Sequence, residues 1–115
     1  MTIRIVVTGG TFDKAYNELN GTLFFDRTHV DDMLERGRCK LDVTVEVLMM
    51  LDSLDLSAAD RARVVQACRA SPEQRVVITH GTDTMVETAR ALADAVSTKT
   101  VVLTGAMVPY AFGSS

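Results

Sequence analysis

Residues 75–84 read RVVITHGTDT, and this stretch decides the fold. Its first half, Arg75–Thr79, is β-branched and apolar nearly throughout, which is typical of a parallel strand covered on both faces. Polar residues follow, and an amphipathic segment with small apolar side chains then runs from Asp83 or Thr84 to Val96. The step from strand through loop to helix predicts one unit of a parallel α/β sheet.

The rest of the chain repeats this unit. Three further runs rich in Val, Ile and Thr predict strands: Ile3–Thr8, Leu41–Leu48 and Lys99–Thr104. Two further amphipathic segments predict helices: Thr28–Arg36, with Gly37 as its C-cap, and Ser57–Ala70, which begins with a capping box. The order β, loop, α, β, α, β, α, β predicts a doubly wound (Rossmann-like or flavodoxin-like), mostly parallel sheet with helices on both faces.

Length, charge and composition exclude several classes of protein. A chain of 115 residues, 47% of them hydrophobic, predicts one folded domain spanning residues 1–115. The net charge of −3 disfavours a nucleic-acid partner. No apolar run approaches the roughly 18 residues that cross a bilayer, and no signal peptide precedes the first strand, so we expect a cytoplasmic protein without a membrane partner. Cys39 and Cys68 lack metal-ligand spacing, and we expect two reduced, buried thiols and no metal.

Polar loops follow the predicted strands, at the sheet edge where open α/β folds bind ligands. The loop at residues 8–11, TGGT, is interpreted either as a glycine-rich turn with an incidental Thr11 or as a ligand loop. Thr82 or Asp83 is predicted to cap the following helix, whose N-terminal amides are also candidate oxyanion donors. We expect His80 to be a partly buried, hydrogen-bonded side chain and not a base.

Three segments together resemble the signature segments of bacterial-type L-asparaginases. They are TGGT at residues 8–11, HGTDTM at 80–85 with the following ETA at 87–89, and TGAM at 104–107 with Pro109. They occur in the family's order and spacing and cover most of the chain. The resemblance is to the N-terminal domain of the two-domain enzymes and to short, single-domain asparaginase-like proteins. It implies hydrolysis of L-asparagine to L-aspartate and ammonia through an acyl-enzyme intermediate, without metal or cofactor.

The resemblance also implies roles for individual residues. Thr11 matches the nucleophile, and Thr82 matches the second threonine, which works with the oxyanion site. Asp83 matches the carboxylate that holds the substrate's ammonium, and Ser53 the serine that binds its carboxylate. Tyr16 is carried over as the tyrosine of the loop after Thr11. Four further residues are predicted to line the substrate: Gly10, Gly81, Ala106 and Met107.

The chain departs from the family pattern at three points. Tyr16 comes earlier in the loop than the family's tyrosine, and the nearer positions hold Phe24 and Phe25. Leu54 stands where the family usually has a glutamine, so one polar contact to substrate is missing. The family's lysine downstream of the Gly-Ala-Met segment has no counterpart in residues 1–115. Lys40 and Lys99 precede strands and are predicted at the opposite, amino edge, which leaves Lys14 as the lysine on the edge with the polar loops.

The last segment, residues 105–115, is predicted to run over the site without a helix or strand, leaving Tyr110 and Phe112 uncovered. We therefore expect the 115 residues to be the front part of a longer polypeptide, incomplete at its C-terminal end and slow to turn over substrate. A homo-oligomer is expected, because an open site needs walls that exclude water. Two alternative functions are a non-catalytic domain that binds asparagine, aspartate or a related amino acid, and, less favoured, a nucleotide-binding domain.

Overall fold

A four-stranded parallel sheet forms the centre of the computed structural model, which describes residues 2–112. In chain order the elements are β1 (Thr2–Gly9), β2 (Lys14–Asn17), β3 (Thr22–Phe25), α1 (Val30–Arg36), β4 (Asp42–Leu51), α2 (Ala58–Ala70), β5 (Arg75–Thr79), α3 (Met85–Ala95) and β6 (Thr100–Thr104). The strand order in the sheet is β4-β1-β5-β6, with every pair parallel. All four predicted sheet strands are confirmed, although β4 extends three residues past the predicted end at Leu48.

The helices divide between the two faces of the sheet because the order in which strands are added to the sheet reverses at β1. From β1 the chain adds β4 on one side of that strand, and it then crosses back to add β5 on the other side. One core packs α2 and α3 against the face of Val6 and Ile78, and the second packs α1 against the face of Ile5 and Val7. The predicted doubly wound fold with helices on both faces is therefore confirmed.

A β-hairpin occupies the segment that the sequence analysis treated as a loop. Strands β2 and β3 pair antiparallel, with Tyr16 opposite Leu23. The connection carries Asn20-Gly21, and Gly21 has a φ of +72°, in the region that glycine enters without strain. Asn-Gly between β-forming residues is a strong hairpin signal. The loop interpretation of this segment was wrong, and the structure places Tyr16 on a strand.

Helix ends agree with the sequence in part. The Ser57 side chain accepts a hydrogen bond from the Asp60 amide, and the Asp60 carboxylate accepts one from the Ser57 amide, so the predicted capping box is confirmed. Gly37 is the C-cap of α1, but its φ of −76° is ordinary, and the residue with positive φ there is Arg38. The glycine therefore does not end α1 by adopting a left-handed conformation.

Two sequence expectations about side-chain cover were wrong in part. Cys68 is buried, but Cys39 is exposed, and both thiols are free. Tyr110 lies in a short 3-10 turn, Tyr110–Phe112, and packs on Phe12 with ring centroids 5.6 Å apart. Phe112 remains half-exposed, as expected.

Residues 113–115, the end of the segment expected to lack an anchor, lie outside the described residues. Within the described range, no helix is long and apolar enough to span a membrane.

Candidate functional site

The carboxyl ends of β1 and β5 form the topological switch point of the sheet. These strands are neighbours, yet the chain leaves them towards opposite faces, so a crevice opens between their following loops. Gly10 and Thr11 follow β1, and the loop from His80 to Thr84 follows β5. The fold therefore brings together the two segments that the sequence predicts to carry the nucleophile and the second threonine.

The two loops touch through glycine backbone. A β-carbon on Gly10 would lie only 2.5 Å from the amide nitrogen of Gly81, and one on Gly81 would lie 2.8 Å from Ser53 Oγ. Strands β1 and β5 are also joined by a side-chain hydrogen bond, because the buried hydroxyl of Thr8 donates to the Thr79 carbonyl at 2.6 Å. Glycine is required here because any side chain would separate the loops after β1, β4 and β5.

Ser53 lies beneath the β5–α3 loop and is 1% exposed. Its Oγ accepts hydrogen bonds from the backbone amides of Asp83 (3.1 Å) and Thr84 (3.2 Å), and the Thr84 hydroxyl donates to its carbonyl (2.8 Å). The N-cap of α3 is Thr84, without a side-chain cap, so the prediction that Thr82 or Asp83 caps this helix was wrong. The amides of Asp83 and Thr84, engaged by Ser53, do not serve as oxyanion donors.

Thr82 and Asp83 are exposed because Ser53, and not their own side chains, holds the loop. In the part of the chain that the structure describes, neither the Thr82 hydroxyl nor the Asp83 carboxylate has a hydrogen-bond partner. An unpaired carboxylate on a rigid loop can pair with an ammonium, and an unpaired hydroxyl can donate to a carbonyl. The buried Ser53 hydroxyl accepts these two bonds and donates none among residues 2–112.

Thr11 opens a 3-10 turn, Thr11–Asp13, and is half-buried. Its hydroxyl has no partner among residues 2–112. The turn is tied at both ends: the Gly10 amide donates to the Leu51 carbonyl at 3.0 Å, and Lys14 Nζ lies 2.5 Å from Asp52 Oδ1. Because Asp52 immediately precedes Ser53, this ion pair joins the Thr11 segment to the turn that supports Asp83.

His80 is a structural side chain of the β5–α3 connection and is 1% exposed. Its Nδ1 lies 2.6 Å from the Gly81 carbonyl, which can only accept, so Nδ1 carries the proton. Nε2 then accepts from Thr88 Oγ1 at 2.8 Å. Burial lowers the pKa of His80 below its ordinary value of 6.5, with the Arg61 charge acting in the same direction and the Gly81 bond opposing it. The expectation of a satisfied histidine is confirmed, with fuller burial than expected.

The remaining predicted residues are Tyr16, Ala106 and Met107. Tyr16 is half-exposed on β2 and contacts the Phe112 ring edge-on, with 6.3 Å between centroids. Met107 is 83% exposed. Ala106 faces an apolar cavity of about 260 Å³ on the α1 side of the sheet, which Phe12 and Tyr110 also line. This cavity contains neither Thr11 nor Asp83, and its apolar lining does not suit a charged amino acid.

Sequence reasoning missed three structural residues of the site: Asp13, Asp52 and Thr88. The Asn20-Gly21 pair between residues 14–17 and 22–25 was the signal for the hairpin that carries Lys14 towards Asp52. Thr88 follows His80 by eight positions, and no local spacing rule predicts their contact. Among the described residues, no cluster of three or more His, Cys, Asp or Glu side chains is arranged to hold a metal ion.

The fold and the site define a doubly wound α/β domain that presents a hydroxyl-bearing turn and a carboxylate-bearing loop at its switch point. Comparison with family models adds the family: the model described as "Asparaginase, N-terminal" matches residues 2–115. The chain therefore belongs to the asparaginase family, through that family's N-terminal domain. The resemblance inferred from the TGGT, HGTDTM and TGAM segments is confirmed.

Solved structures similar to this chain are L-asparaginases. The thermostable L-asparaginase from Thermococcus kodakarensis superposes with a TM-score of 0.80 at 29% identity over 95% of this chain. L-asparaginase I from Vibrio cholerae gives 0.79 at 28% over 96%, and the probable cytoplasmic L-asparaginase from Campylobacter jejuni gives 0.75 at 33% over 93%. The matched region covers 35% of each of those chains, so the 115 residues span about a third of their length.

Proposed function

We propose that this domain carries the nucleophile and the amino-acid-binding loop of an amidohydrolase that converts L-asparagine to L-aspartate and ammonia. The observation that carries the proposal is the backbone contact between Gly10 and Gly81. It sets the turn of Thr11 beside the loop of Thr82 and Asp83, and all three side chains have unpaired polar groups in the described chain. The three relatives described as L-asparaginases support the choice of substrate.

The proposed reaction proceeds in two steps without a metal or cofactor. Thr11 Oγ attacks the side-chain amide carbon of asparagine, the C–N bond breaks, and ammonia leaves with the hydroxyl proton. A water molecule then adds to the ester carbon, the bond to Thr11 Oγ breaks, and one proton of that water passes to the Thr11 oxygen and restores the hydroxyl. Asp83 pairs with the substrate ammonium and Ser53 donates to its carboxylate, while Thr82 donates to the carbonyl oxygen as it gains charge.

Whether the domain turns substrate over or only binds it depends on a group that can accept the proton of the Thr11 hydroxyl. Lys14 is paired with Asp52, and Lys99 donates to the Cys68 carbonyl at 2.8 Å and to the Ser71 carbonyl at the amino edge of the sheet. A threonine without a general base loses about a hundred- to ten-thousandfold in rate. This arrangement favours, as the second candidate, a domain that binds asparagine or aspartate but turns it over slowly.

Replacing Thr11 tests the proposal. We expect Thr11→Ala to lower asparagine hydrolysis in a coupled ammonia assay by more than about a thousandfold, and Thr11→Ser to retain a measurable rate because the hydroxyl persists. Thr100→Ala is the matched control, since Thr100 is an exposed threonine at the amino edge of the sheet. Wild-type activity that survives in Thr11→Ala would exclude Thr11 as the nucleophile. Aspartate binding in calorimetry without any ammonia release would favour the second candidate.

The same proposal extends to the setting of the protein. We infer a single domain over residues 1–115 that forms part of a larger catalytic unit, and a homo-oligomer that walls off the exposed Thr82–Asp83 loop. A cytoplasmic location is proposed by analogy with the relative from Campylobacter jejuni. Light scattering at assay concentration tests the oligomer, and an active monomer would contradict it.

A further inference from the structure

A buried carboxylate, Asp13, takes no part in the proposed reaction and yet lies in the turn of Thr11. Its side chain is 0% exposed. It accepts hydrogen bonds from the Thr28 hydroxyl at 2.8 Å and from the His29 amide at 2.7 Å, and His29 Nδ1 lies 3.3 Å from the same oxygen. Carboxylates are almost never fully buried unless they are paired or hydrogen-bonded. This one is held entirely by the segment that leads into α1.

Asp13 is mechanically close to Thr11. Both belong to one 3-10 turn, in which the Asp13 amide donates to the Gly10 carbonyl at 3.2 Å and the Lys14 amide donates to the Thr11 carbonyl. The next side chain along, Lys14, is directed to Asp52. Two consecutive charged residues therefore anchor the turn in two directions, one towards the start of α1 and one towards the Ser53 turn.

A second contact supports the same attachment. The ring of Tyr110 lies against both Phe12 and His29, with centroid distances of 5.6 Å and 5.8 Å. Phe12 is the middle residue of the Thr11 turn, and His29 is the residue whose amide Asp13 accepts. Two contacts therefore hold the turn against residues 28–29: the hydrogen bonds to the buried Asp13 carboxylate, and the Tyr110 ring that packs on both Phe12 and His29.

We propose that Asp13 is a positioning residue, which fixes the Thr11 hydroxyl relative to Thr82 and Asp83 by anchoring the 3-10 turn to Thr28 and His29. This inference rests on the proposed function for its kinetic consequence, but its structural part stands on the contacts alone. If the anchor is released, the turn opens locally while the sheet stays folded, because β1 and β5 are locked independently by Thr8.

Hydrogen exchange on the 115-residue chain measures the turn directly. The reporters are the amides of Asp13 and Lys14, which close the turn, and the amide of Ile78 reports on the core. Asp13→Asn removes the charge at constant shape. Thr28→Val removes one hydrogen bond to the carboxylate and leaves Asp13 intact. Asp31→Asn, an exposed acid on α1, is the matched control.

We expect both test variants to speed exchange of the turn amides about tenfold or more, the value of one charge-assisted hydrogen bond, with Ile78 and the control unchanged. Turn amides that keep the wild-type rate in both variants would overturn the proposal. So would equal acceleration of the turn and Ile78, because Asp13 would then contribute only general stability.

Kinetics gives the second readout. In a coupled ammonia assay we expect Asp13→Asn to lower kcat about tenfold or more and to leave KM within about threefold, because the nucleophile is displaced while Asp83 still binds substrate. An unchanged kcat would overturn the positioning role. If the wild-type chain releases no ammonia, the proposed function fails, and the exchange rates still decide whether Asp13 anchors the turn.

Discussion

Substituting Gly10 by alanine tests whether close backbone contact builds the site. Gly10 has φ +85° and ψ 177°, a region that essentially only glycine occupies, and forcing another residue into it costs about 1–3 kcal/mol. The new β-carbon would also lie 2.5 Å from the Gly81 amide nitrogen and 2.8 Å from its Cα. These are backbone atoms that cannot rotate away, and overpacking of this kind costs about 1–3 kcal/mol more. We therefore expect a loss of about 2–6 kcal/mol.

Gly21→Ala is the matched control, because its φ of +72° carries the conformational cost without the crowding. The nearest atom to a β-carbon at Gly21 is the Tyr16 hydroxyl oxygen at 3.7 Å, which is ordinary contact. The control should cost about 1–2 kcal/mol. Urea unfolding followed by circular dichroism gives both free energies by linear extrapolation. If Gly10→Ala loses no more than Gly21→Ala, to within about 0.5 kcal/mol, the contact between the loops has slack and our argument from Gly10 to Thr11 fails.

Three further predictions concern the side chains around this contact. Asp83→Asn should leave thermal stability within about 0.5 kcal/mol, since the carboxylate caps nothing, and should weaken aspartate binding about tenfold in calorimetric titration; a fall in stability alone would make Asp83 structural. Because folding lowers the pKa of His80, the unfolded chain binds a proton that the folded chain does not, so the free energy of unfolding should decrease as the pH falls below 6.5. His80→Gln should flatten that decrease in urea unfolding at a series of pH values, and an unchanged profile would contradict it. Lys14→Met should lower stability by only about 0.5 kcal/mol but slow ammonia release, because it unties the Thr11 segment from Asp52; an unchanged rate would remove Lys14 from the account.

The parts of the fold that the sequence predicted are those governed by short-range patterns. Parallel strands of an α/β sheet are continuous apolar runs, so the central strand Arg75–Thr79 is visible in the sequence almost to the residue. The same holds for Thr100–Thr104, although it is an edge strand whose residues alternate between exposed and half-buried. The capping box at Ser57 is equally local. The hairpin was missed because its strands have only four residues each and pair with each other instead of with the central sheet. Its Asn20-Gly21 turn was the available signal.

For the site as well, the sequence predicts which residues are candidates but not which contacts their side chains make. The TGGT and HGTDTM segments predict Thr11, Thr82 and Asp83 as candidate site residues, but whether a hydroxyl points to solvent or supports a loop depends on contacts made far along the chain. Ser53 illustrates this: the sequence predicts a substrate contact, and the structure shows its oxygen accepting two amides from residues thirty and thirty-one positions later. Capping by Thr82 or Asp83 was a sound local expectation, and it was displaced by this distant serine.

Because Ser53 accepts the amides of Asp83 and Thr84, the side chains of Thr82 and Asp83 are left without a capping role. A loop that capped its own helix would use the Thr82 hydroxyl or the Asp83 carboxylate in the cap and have less to offer a ligand. Ser53 takes over the amides from below, so the two side chains remain exposed above a loop that is nonetheless fixed. The Thr11 turn has the same arrangement, because Asp13 and Lys14 anchor it while the Thr11 hydroxyl stays unpaired in the described chain. Preorganised groups without internal partners suit the activity we propose, in which the site binds a charged amino acid and attacks its amide.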